Sequence, residues 1–234
     1  YDCIGLDGKG SDTLDAWLSN PAPNLDRGFI GLGQVQGGEN FAHAVYVNNY
    51  DLGFGRDMYM RKNGDDIFSY VVNHPNLQST VDGSGAFAVV AMDYSESYDC
   101  SIANLGMAKN NRVVKFYAFV PDSVNGGFKR ANTMNFDGRG ERAIPGACTS
   151  CHGGSAVITA SPFSTANAAD LNSTFMPWDL DSFLYTSDSS RLADPGYNAN
   201  EVSAGDTAQY SLEAQGEAFR KLNKMALSTY LAEI

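Results

Sequence analysis

The stretch Cys148-Thr149-Ser150-Cys151-His152 restricts what this chain can become more than any other five residues in it. Two thiols three positions apart, followed at once by an imidazole, concentrate soft sulfur and neutral nitrogen donors at one point. Such a cluster serves a redox pair, a structural metal or a covalently held group. A redox pair belongs at the N-terminus of a helix that follows a strand, where the helix dipole lowers a thiol pKa. Here Ala143-Ile144-Pro145-Gly146-Ala147 precedes the cluster and Gly153-Gly154 follows it, and neither flank reads as a βαβ unit. A structural zinc site needs four ligands, usually with a second close pair. The remaining candidates, Cys3, His43, His74 and Cys100, are scattered along the chain.

The third use is the one these residues suit best. The CTSCH segment resembles the attachment motif of c-type cytochromes. That resemblance implies one covalent haem c, with Cys148 and Cys151 as thioether residues and His152 as the proximal iron ligand. It covers five residues and leaves the fold open. Class I cytochrome c places its motif after an N-terminal amphipathic helix in a short chain, whereas the approach to Cys148 is turn-like and contains Pro145. Asp51–Arg61 (DLGFGRDMYMR) and Phe175–Phe183 (FMPWDLDSF) are similar to segments of a less characterised group of secreted bacterial cytochromes. In that group a β-containing region precedes the motif.

Composition narrows the setting. The 234-residue chain carries a formal net charge of −11. This disfavours nucleic acid and anionic membrane surfaces as partners and favours a redox partner with a basic docking patch. No apolar run approaches the roughly 20 residues that span a bilayer. Covalent haem is assembled outside the cytoplasm, so a periplasmic or extracellular location is expected, with Tyr1 as the start of a processed chain. In that compartment Cys3 and Cys100, the even pair left over, are expected to form a disulfide. Such a bridge would contribute about 4–5 kcal/mol in the chain-entropy model. The alternative is two buried free thiols.

The pattern of apolar residues predicts an α+β fold, a β-containing core preceding a haem-binding, partly helical C-terminal part. Phe41–Asn48 is a candidate strand, Met58–Met60 and Ile67–Val72 are short candidates of either type, strand or helix, and Ala86–Tyr94 and Arg112–Val120 are the clearest strands. The continuous apolar character of the last two predicts a sheet buried on both faces. A short helix is expected near Asp12–Leu18 and a long one over Tyr210–Leu231. On the long helix Gln215, Phe219, Leu222, Ala226 and Thr229 share one face. The chain reads as a single domain, 1–234, divisible into a β-containing region (1–140) and a haem-attachment segment with the C-terminal helix (141–234).

The sixth iron position decides between carrier and enzyme, because a strong ligand there blocks substrates and limits rearrangement on electron transfer. Met58 follows Gly53 and Gly55, which would let the backbone approach the porphyrin, and Arg56 beside it is a candidate partner for a haem propionate. Met176, before Pro177, is the second candidate, with His43, His74 and an open position as further options. The expected function is single-electron transfer by a monohaem c-type cytochrome. Two alternatives stand beside it. One is a haem enzyme or gas-binding protein, peroxidase-like or binding nitric oxide. The other is an electron-conducting subunit of a larger extracellular assembly.

Overall fold

A computed structural model of the chain describes residues 12–19, 27–48, 52–99, 107–154, 173–188 and 204–230. Cys3 and Cys100, and with them the expected disulfide, lie outside the described residues. The fold is α+β. Six strands, β1 (Phe41–Val47), β2 (Gly55–Asn63), β3 (Asp66–His74), β4 (Ala88–Asp99), β5 (Met107–Pro121) and β6 (Phe128–Ala131), form an antiparallel sheet in chain order. Gly64 at φ 60° makes the two-residue turn from β2 to β3, where Asn63 pairs with Asp66. β1 to β5 cover the segments read from the sequence, except Asn48, Ala86 and Phe87, which lie just outside the strands.

Alternation along each strand sends side chains to two buried faces. One face gathers Ala42, Ala44 and Tyr46 of β1, Met58 and Met60 of β2, Met92 and Tyr94 of β4, and Val114 and Phe116 of β5. Helix α5 (Leu212–Tyr230) lays Phe219, Leu222, Met225 and Ala226 on this face. Its predicted apolar stripe is the buried stripe, including Gln215 and Thr229. Ser211 caps the helix, its hydroxyl accepting from the Ala214 amide at 3.2 Å.

The opposite face packs Phe41, Tyr59, Phe68, Tyr70, Val89, Tyr117 and Phe119 under Leu14, Trp17 and Leu18 of helix α1 (Leu14–Ser19). A buried charge cluster also lies here. Asp93 accepts from Lys115 Nζ at 3.0 Å, from Arg27 Nη2 at 3.3 Å and from the Ser95 hydroxyl at 2.7 Å. Arg27 in turn lies 4.6 Å over the Trp17 ring.

Helix α2 (Leu77–Asp82) follows β3, capped by Asn76, whose side chain accepts from the Ser79 amide at 2.8 Å. It sits so close to Gly55 that a Cβ there would collide with the Asn76 carbonyl and the Thr80 hydroxyl. Gly55 therefore serves the packing of α2 on β2 rather than an approach to porphyrin. Beyond β6 lie a small ribbon of β7 (Thr133–Met134) and β8 (Arg142–Ala143), helix α3 (Gly146–His152), a 3-10 turn at Leu180–Ser182 and helix α4 (Ala204–Gln209).

Candidate functional site

Cys148, Cys151 and His152 all lie on α3, a helix of 7 residues rather than a loop. The Pro145 carbonyl starts it, accepting from the amides of Cys148 at 2.9 Å and Thr149 at 3.1 Å. Cys148 points inward and is 8% exposed, within the same core cluster as Met58, Met92 and Phe116. Cys151 points outward. The two sulfurs thus sit on the buried and exposed sides of one short helix.

His152 is held from two directions. Its Nδ1 lies 3.1 Å from the Thr174 carbonyl oxygen. A carbonyl can only accept, so Nδ1 carries a proton, and in the neutral imidazole the lone pair is then at Nε2, the nitrogen suited to a metal. The ring also lies 5.3 Å from that of Phe116 on β5, at 51°. The backbone reinforces this arrangement, the Thr174 amide donating to the His152 carbonyl at 3.1 Å and the Ser173 hydroxyl to Gly153 at 2.7 Å.

Thr174 begins a strap that crosses the sheet face from α3 to the far edge. Phe175 is buried, and the Trp178 amide and carbonyl both bond Asn223 of α5. Trp178 Nε1 donates to the Tyr46 hydroxyl at 2.9 Å. Phe183 packs on Tyr46 with ring centroids 4.4 Å apart, and Leu184 pairs with Val47 of β1. The aromatic density of FMPWDLDSF is therefore the density of a strap that ties α3 and α5 to the sheet.

The rival chemistries find less support. Burial, aided by the neighbouring Cys151 sulfur, pushes the Cys148 thiol up to about 12. Although the helix follows β8, as a redox pair would require, such a thiol is not an activated nucleophile. Among the described residues no group of three or more His, Cys, Asp or Glu side chains could hold a metal ion, and the remaining zinc candidates Cys3 and Cys100 lie outside them.

The other candidate ligands are widely separated. His43 and His74 are on the opposite face of the sheet. His43 bonds Asp57 at 2.6 Å and stacks on Tyr59 at 4.4 Å, and His74 Nδ1 bonds the Ser84 carbonyl at 2.6 Å. Met58 shares the Cys148 face, but β3 and β4 separate its strand from Phe116 and β5. Three strand spacings amount to about 14 Å. Met176 is 47% exposed, two residues from the carbonyl that holds the Nδ1 edge of His152. Arg56 projects to the Cys148 face, opposite Tyr46, and its buried Nε has no hydrogen-bond partner.

These features fit a covalent haem. His152 at the end of α3 lies against Phe116 of β5, and α5 packs on β1 and β2. Between them Val90, in an inner strand, is still partly exposed on this face, flanked by Val71 and Met92. An apolar floor beside a buried thiol, an oriented imidazole and an orphaned guanidinium nitrogen suits a porphyrin with acidic side arms. Phe116 and Thr174, the two groups that place His152, have no sequence signature of their own. Only the antiparallel register of AFAVVAMDY against RVVKFYAFV could have singled out Phe116. Comparison with known proteins found no matching family model, no similar curated protein and no similar solved structure.

Proposed function

We propose that this chain is an exported monohaem c-type cytochrome that carries single electrons. The observation that carries the reading is the CTSCH motif on one helix with His152 Nδ1 bound to the Thr174 carbonyl. Proximal haem histidines are oriented in this manner, one nitrogen tethered and the other presented to iron. When bound, the haem would supply a one-electron Fe(III)/Fe(II) couple. Cys148 and Cys151 would anchor it, His152 would ligate it and Arg56 would neutralise a propionate. The tether through Thr174 and Phe116 resists rotation of the imidazole, which suits a carrier that must change charge with little rearrangement.

A net charge of −11 supports docking to a partner with a basic patch, in the periplasm or outside the cell. Among the described residues no helix is long and apolar enough to cross a membrane. The test is production in a host competent for cytochrome c maturation, followed by acid–acetone extraction. Haem that stays with the polypeptide, and is lost from a Cys148→Ala/Cys151→Ala double variant, is the expected result. Complete extraction from the wild-type protein would overturn the reading.

A further inference from the structure

We propose that Met92, on β4, would serve with His152 as the second protein ligand of the haem iron, an inference that rests on the haem reading above. Phe116 marks the place of the proximal imidazole on the sheet, its ring 5.3 Å from that of His152. Met92 is the direct cross-strand partner of Phe116 and projects to the same face. Side chains so paired have Cβ atoms about 4.5–5.5 Å apart.

The same row continues through Ser69 on β3 to Met60 on β2. Among the described side chains of the six-stranded sheet, Met92 is thus the sulfur donor nearest Phe116, two strands closer than Met58 or Met60. Met60 is fully buried, whereas Met92 is 7% exposed and borders the partly exposed Val90 two residues earlier on its own face. Met225 belongs to α5, which packs over β1 and β2. The sheet itself separates His43 and His74 from this face. Met176 is 47% exposed on the strap, two residues beyond the carbonyl that holds the Nδ1 edge of the imidazole, and is not part of the core cluster that holds Cys148 and Met92.

A thioether has the right chemistry for this place. It is neutral, so an apolar floor of Val71, Val90 and Phe116 tolerates it without desolvating a charge. Ligation by Met raises the potential relative to a second His.

The experiment uses the matured full chain, with covalent haem first verified by acid–acetone extraction. Loss of all haem at that step defeats the haem reading itself and this inference with it. With haem retained, the oxidised wild-type protein should be low-spin with a weak thioether–iron band at about 695 nm. Met92→Leu should lose that band and become high-spin, while Met58→Leu and Met176→Leu keep it. Met92→His should stay low-spin without the band and shift to a lower potential. In the reduced wild-type protein the ligating methionine methyl, read by NMR with methyl labelling, should show a cross-peak to the Phe116 ring, a measurement that needs no variant to fold. A high-spin wild-type spectrum, or a band lost in Met58→Leu or Met176→Leu rather than Met92→Leu, would overturn the assignment while leaving the haem reading intact.

Discussion

The side-chain amide of Gln215 pairs with the backbone of Val45 as a neighbouring strand would. Gln215 Oε1 accepts from the Val45 amide at 2.6 Å, and its Nε2 donates to the Val45 carbonyl at 2.9 Å. β1 is an edge strand, and an open edge invites pairing with other chains. One residue of α5 thus closes the edge and fixes the helix against it, next to the Val47–Leu184 pairing from the strap. Gln215→Leu should leave a buried amide and carbonyl unpaired, costing about 1–3 kcal/mol for each. Urea titration of the variant should show the loss, and light scattering should show a greater tendency to associate.

On the haem reading proposed above, His152→Ala in the matured protein should keep the haem attached while removing the proximal ligand, because the thioether bonds do not depend on the imidazole. The absorption spectrum should change in spin state, and added imidazole should restore it in part. An unaltered spectrum would remove His152 from the coordination sphere.

The two thiols should differ before haem is attached. Cys148 is buried and its pKa is pushed up to about 12, whereas Cys151 is exposed. At pH 8 a thiol reagent should label Cys151 quickly and Cys148 only as fast as the helix opens. Mass spectrometry of the haem-free protein reads both rates, and equal rates would contradict the inward position of Cys148.

Acid should attack the opposite face. Burial alone would raise the Asp93 pKa, but Lys115 and Arg27 outweigh it and hold the carboxyl below its usual value. A depressed folded pKa gives stability that is present above the unfolded value, about 3.9, and is lost as pH falls towards the folded one. The wild-type protein should therefore lose stability below about pH 4. Asp93→Asn should already be destabilised at pH 7 by about 3–5 kcal/mol, since two buried cations lose their carboxylate. It should also show a shallower acid limb. Denaturant midpoints measured across pH test both points.

Trp178→Phe should loosen the strap by removing the bond to the Tyr46 hydroxyl, at about 1 kcal/mol. A double-mutant cycle with Tyr46→Phe should return a coupling energy of that order, and independent effects would show that the contact contributes nothing.

Local chemistry was legible in the chain itself. The spacing of Cys148, Cys151 and His152 presents two sulfurs and an imidazole from any short helical turn, so no distant residue is needed to recognise it. The period of Phe219, Leu222 and Ala226 states a helix and its buried side, and the apolar runs of β4 and β5 state strands covered on both faces. Asp93 and Lys115 were hidden inside those runs, because a buried charge looks like a surface charge until its partner is known.

What only the tertiary structure decided is which residues meet across the sheet. Strand register places Met92 beside Phe116, puts β3 and β4 between Met58 and β5, and turns His43 and His74 to the other face. The physical reason is that a side chain's face depends on the parity of its position, and its neighbours on pairings between strands distant in sequence. A five-residue motif carries its own chemistry, whereas the side chains that face it are a property of the whole sheet.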